Sequence, residues 1–160
     1  MLTYKLVHLI EYHSGNLAAG LARRVEKCDR APYYHNVPTA ELQETVREIY
    51  HHLGTWLLSK SESDVEQRYT AIGTRRAEQN IPLSELVWVI VLTKRNLWDF
   101  INDVSFPGRA VEVTEKQELF EMIDKFFDEA IHAAVVGHEW ASQASTAPIA
   151  QEIVKGRKAS

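Results

Sequence analysis

Apolar residues recur along the chain at the three- and four-residue spacing of a helix face, and five stretches sustain that spacing long enough to predict helices. The first spans Leu2 to Lys27, with Leu6, Leu9, Ile10, His13, Leu17, Leu21 and Val25 on one face. Gly15 and Gly20 each weaken its interior by about 1 kcal/mol against alanine, so they mark a bend or a close helix crossing. Asp29–Pro38 holds two prolines and little periodicity, and reads as a loop. A second helix starts at Thr39 as N-cap, with Glu41 where the positive end of the helix dipole favours it. Its stripe is Leu42, Val46, Ile49, Leu53 and Leu57, with Trp56 at the edge; the polar run Ser59–Ser63 ends it.

Ser63-x-x-Glu66 is a capping box opening a third helix to about Gln79. Pro82 then opens a fourth, reaching about Val104, because a first-turn proline loses no intrahelical bond. Within it, Leu86–Leu92 has the propensity of a strand as much as of a helix. Leu97, Trp98 and Ile101 carry the pattern past strand length without a turn residue, which favours helix. Being apolar on nearly every side, this helix near 82–104 is expected to be central and largely buried. Phe106–Arg109 is turn chemistry. Thr114-x-x-Gln117 caps a fifth helix to about Ser142, with Leu119, Ile123, Phe126, Phe127, Ala130 and Ala134 inward. The expected fold is all-α: one five-helix domain over residues 1–144, as a bundle or a globin-like arrangement, followed by a flexible basic tail at 145–160.

Composition narrows the function. With 160 residues the chain has the size of one domain, and 45% hydrophobic residues suffice for a core. A net charge of −4, with cations clustered only at Lys155, Arg157 and Lys158, argues against nucleic acid as partner. A single cysteine, Cys28, excludes an internal disulfide and a multi-cysteine zinc site. Lys27 and Arg30 stand beside it, and a lone cysteine at a helix end is usually a packing residue. The longest apolar run, Leu86–Leu92, is far short of the roughly 20 residues that span a bilayer, and no signal peptide opens the chain. A cytoplasmic location without membrane contact is expected.

Catalytic motifs are missing: there is no glycine-rich phosphate loop, nucleophile elbow or zinc-protease helix. The histidines offer two pairs, Glu48-x-x-His51 and Glu129-x-x-His132, which follow the grammar of diiron bundles. Their helices bury other faces, however, turning Glu48 and His51 to solvent and leaving Glu129 and His132 lateral. His13 lies in an apolar stripe, as a neutral core histidine or as a switch or ligand-binding residue. His8 has Tyr4 and Tyr12 one turn to either side. No spacing singles out a proximal haem ligand. Arg95 and Asp99 stand four apart, forming either a buried pair with a switch or register role or the solvent side of a buried helix. Trp56, Trp88 and Trp98 are core residues or the walls of a small-ligand pocket.

Gly73-Thr-Arg-Arg-Ala-Glu-Gln-Asn-Ile-Pro-Leu-Ser-Glu-Leu86 and Lys94-Arg-Asn-Leu-Trp98 form the sharpest signature. This segment resembles the RsbT co-antagonist RsbRD N-terminal domain family, in which an Arg-Ala-Glu-Gln-Gly-like turn leads through Pro-Leu into a long central helix. Asn80 stands where that pattern more usually has glycine; both tolerate the left-handed conformation that ends helices. The resemblance implies a helical or non-haem globin-like sensor module, typically dimeric, ahead of an output domain, with no catalytic residues. Here no output domain follows, so a stand-alone regulator and a piece of a longer one are both open. The residues themselves place Arg75, Arg76, Glu78 and Gln79 on a charged turn before Pro82. That turn could transmit a rigid-body shift or simply cap the helix junction.

The leading expectation is a cofactor-free, non-enzymatic signalling or interaction domain, acting as a homodimer with a signalling partner or an output domain. The alternative is a metal- or haem-binding helical protein.

Overall fold

The computed structural model describes the backbone of residues 2–59, 62–103 and 113–158. The described residues form six helices and a short 3₁₀ segment: α1 (Leu2–Tyr12), α2 (Ser14–Glu26), the 3₁₀ segment (Pro32–Asn36), α3 (Thr39–Ser59), α4 (Glu62–Glu78), α5 (Leu83–Asp103) and α6 (Val113–Lys158). The described residues contain no strand, so Leu86–Leu92 is helical.

The extra helix comes from His13, where the expected first helix is broken. His13 sits at φ −99°, ψ 12°, outside both helices, although its N–H still reaches Leu9 and its carbonyl still accepts from Leu17. The bend sends the two halves to different partners, α1 to α3 and α2 to both α3 and α5. The apolar stripe continues through the bend, which is why periodicity alone reads a single helix. Gly20 marks a crossing: a Cβ there would stand 3.4 Å from Asn96 Oδ1 of α5.

Helix starts shift by a residue. Leu42 N–H donates to the Pro38 carbonyl, so Pro38 is the N-cap and Thr39 the first helical residue. Likewise Pro82 accepts from Glu85 and Leu86 and precedes the helix it was expected to begin. The turn at Phe106–Arg109 lies outside the described residues, and Ser63 and Thr114 are not N-caps, since α4 begins at Glu62 and α6 at Val113. Helix α6 continues to Lys158 rather than ending near Ser142, running on through Pro148 and Gly156 despite their poor helix propensity.

The core gathers the expected stripes. Phe126 of α6 meets Trp56 of α3 at 5.5 Å, Tyr69 of α4 at 5.9 Å and Phe127 at 5.2 Å between ring centroids. Each fully buried aromatic contributes roughly 1.5–3 kcal/mol. The expected all-round burial of α5 is not what the structure shows. One face buries Leu86, Val89, Ile90, Thr93, Leu97 and Ile101, while Arg95 and Asp99 are exposed and Trp88 and Trp98 half-buried.

The closest helix contact lies between α4 and α6. A Cβ on Gly73 would stand 2.0 Å from the Ala134 carbonyl oxygen, and one on Gly137 would stand 2.1 Å from that of Thr70. Two glycines therefore let the backbones touch, and Thr74 Oγ1 is 3.3 Å from the Gly137 carbonyl. Among the described residues no helix is long and apolar enough to cross a membrane.

Candidate functional site

The charged turn singled out above becomes a built junction. Helix α4 ends with Asn80 at φ 60°, the left-handed position a helix terminator requires. Ile81 N–H donates to the Arg76 carbonyl at 2.9 Å and Asn80 N–H to that of Ala77 at 2.9 Å, which is the Schellman pattern. Arg76, in the last turn of α4, is 2% exposed.

Glu41 of α3 organises this cluster. Its Oε1 accepts from Arg76 at 3.1 Å, Arg75 Nε at 3.2 Å and Gln79 Nε2 at 3.1 Å. Arg76 also donates to Gln79 Oε1 at 2.7 Å. Burial raises the Glu41 pKa, but the Arg75 hydrogen bond, the Arg76 and Arg75 charges and the Gln79 hydrogen bond outweigh it and hold the carboxyl below its usual range. Sequence reading placed Glu41 correctly in a first turn and missed this role, because its partners lie 34 to 38 residues away.

The cluster extends to the 3₁₀ segment and to α6. The Arg76 guanidinium lies 5.5 Å from the Tyr34 ring. Burial pushes the Tyr34 phenol up to about 12, with Arg76 opposing. Glu85, 5% exposed in the first turn of α5, accepts from the backbone N–H groups of Tyr33 at 2.9 Å and Tyr34 at 3.2 Å. On the other side, buried His138 of α6 donates from Nε2 to the Ile81 carbonyl at 2.6 Å. Five elements thus converge on one turn. Of the expected residues, Arg75, Arg76 and Gln79 form the cluster and Pro82 supplies the first acceptor of α5. Glu78 is exposed and lines the groove between α4 and α6 instead.

The other candidates do not assemble. Arg95 and Asp99 are not a buried pair: Asp99 bonds Arg24 of α2 on the surface, and Arg95 lies 5.1 Å from the Trp88 ring. The tryptophans are separate packing residues: Trp56 rests on Phe126, Trp98 rests on Phe120, and Trp88 donates to Cys28 Sγ at 3.3 Å. His13 is half-buried at the α1–α2 bend, its ring 4.9 Å from Tyr12 and 5.6 Å from Phe100. His8 stacks edge-on with Tyr4 alone of its two expected neighbours.

Glu48 is taken by Arg68 of α4 at 2.7 Å, and His51 is exposed, its ring 5.9 Å from that of His52. Glu129 and His132 are exposed on α6. Among the described residues no group of three or more His, Cys, Asp or Glu comes together to hold a metal ion. The two Glu-x-x-His pairs lie on separate helices, His51, Glu129 and His132 exposed and Glu48 half-buried against Arg68, because the apolar stripes of α3 and α6 claim the inward positions.

The junction is a connector: it joins α3, α4, α5, α6 and the 3₁₀ segment through hydrogen bonds, those of Arg75 and Arg76 to Glu41 charge-assisted, and on α6 Ser142 Oγ lies 3.4 Å from His138 Nδ1. No curated protein and no solved structure matched the chain. A family model did, that of the RsbT co-antagonist protein rsbRD N-terminal domain, over residues 16–148, a span holding all of α3, α4 and α5 and the junction they form. The chain belongs to this family of stress-response regulatory domains.

Proposed function

We propose that this chain is a non-enzymatic sensory or interaction domain of stress-response signalling, working in the cytoplasm as a homodimer. Residues 1–144 act as one unit, with the basic 145–160 segment outside it, and the globin-like helix arrangement implied by the resemblance is part of this reading. Its output goes to a signalling protein or to an output domain. The family match over residues 16–148 carries the proposal. Arg75, Arg76, Gln79 and Pro82, with Glu41 added, supply a place for transmission. Buried Arg76 ties the end of α4 to Glu41 of α3, so a shift of one helix moves the other. Small displacements there are passed on because close-packed helices slide or rotate as units.

Sedimentation velocity on the purified chain tests this. A dimer is expected, with Arg76→Met changing its association or its capture of a partner. A strict monomer that retains no partner when immobilised would overturn the reading.

A further inference from the structure

Beside the junction, between α3 and α4, lies a cavity of about 160 Å³ lined by Thr45 and Glu48 from α3 and by Ala71, Ile72, Arg68, Arg75 and Arg76 from α4. Three guanidiniums on one small cavity are unusual in a chain of net charge −4. Counting the lining residues and their ion-pair partners, Glu48 answers Arg68 and Glu41 answers Arg75 and Arg76, which leaves one positive charge in excess. His52, the other partner of Arg68, adds no charge in this geometry. Arginine has only donors, so the 2.6 Å contact from Arg68 to His52 Nε2 requires an unprotonated ring nitrogen.

We propose that this cavity is a binding site for a small tetrahedral oxyanion of the inorganic phosphate or sulfate class, held by Arg68, Arg75 and Arg76. The planar guanidinium fork matches two oxygens of such an ion better than it matches a spherical halide. The volume takes one small oxyanion with its nearest waters, given about 30 Å³ for each water. Thr45 is not a donor to the ion, since its hydroxyl already donates to the Glu41 carbonyl at 2.8 Å. Binding does not rest on the regulatory reading. Only its consequence does: an ion on Arg75 and Arg76 competes with Glu41 for the guanidiniums that hold the junction.

Equilibrium dialysis of the full chain against radiolabelled inorganic phosphate, at fixed ionic strength in an amine-free, phosphate-free buffer, tests the site. Phosphate should saturate at one ion per chain, with sulfate competing and chloride not. Arg68→Gln and Arg75→Gln remove partly exposed side chains, and each should weaken binding roughly tenfold or more. Arg47→Gln removes a surface cation outside the cavity and should change binding by less than about twofold. Phosphate binding no tighter than chloride, or an equal loss in Arg47→Gln, overturns the proposal. O-phosphoserine separates a free ion from a phosphoryl group carried on a larger molecule; its binding more tightly than phosphate overturns the free-ion assignment.

Discussion

His138 Nε2 stands 2.6 Å from the Ile81 carbonyl oxygen, so a side chain of α6 fastens the turn that joins α4 to α5. His138→Leu keeps bulk and removes the donor, leaving a buried carbonyl unpaired. The expected cost is about 1–3 kcal/mol, read from urea unfolding. Amide exchange should accelerate first around residues 79–83, where the turn loses its tether.

The α4–α6 contact has no room for a methyl group. Gly73→Ala and Gly137→Ala would each press a Cβ onto backbone, which cannot rotate away, so the helices must separate. Each should destabilise by about 1–3 kcal/mol or more in thermal unfolding. Gly15→Ala is the control: nothing lies within 4 Å of its Cβ position, and a gain of roughly 0.5–1 kcal/mol is expected.

Glu41→Gln leaves the buried Arg76 charge without its counter-ion. Breaking a fully buried pair costs roughly 3–5 kcal/mol; Glu41 keeps 29% of its side-chain exposure, so a loss of about 1–3 kcal/mol is expected after solvent screening. The acid response follows from the lowered Glu41 pKa. A carboxyl held below its unfolded value stabilises above that value and loses the contribution as pH falls through the folded one. Wild-type stability should therefore drop from about pH 4.3 downward by more than that of Glu41→Gln, as followed by urea midpoints.

At alkaline pH the sign reverses. Burial raises Tyr34 to about 12 and pushes Tyr50 and Tyr69 up as well. A phenol raised in the folded state stabilises below the unfolded value near 10 and loses that contribution as pH climbs above it. Absorbance at ~295 nm, where the phenolate absorbs, should show these three of the chain's six tyrosines ionising only as the protein unfolds. Ionisation of all six without loss of helical circular dichroism would contradict the burial.

Asp99→Asn should matter little. Its bond to Arg24 lies between side chains 60% and 36% exposed, where an ion pair contributes about 0–1 kcal/mol. A larger loss would give the Arg24–Asp99 pair more weight than its exposure allows.

Legibility followed the range of the interactions. The α3 and α6 stripes, the helical reading of Leu86–Leu92 and the left-handed terminator at Asn80 all depend on residues within a turn or two, and all could be read along the chain. The break at His13 was legible only in part: Gly15 marked a bend or a crossing nearby, but the apolar stripe crosses His13 unbroken, so a split into two helices was not. The exposed side of α5 was misread for a similar reason: hydropathy reports what a side chain tolerates, whereas the number of neighbouring helices decides what is covered.

At the Gly73–Trp98 segment the same division holds. Its family, its helix–turn–helix order and its charged turn were written in the residues, since capping and turn chemistry are local. Only the tertiary structure decided that Glu41 would hold Arg75, Arg76 and Gln79, that Glu85 would hold the 3₁₀ segment and that His138 would close the turn. Those partners meet because two glycines let α4 and α6 touch and because helix crossings, not sequence separation, determine which polar groups share a buried space.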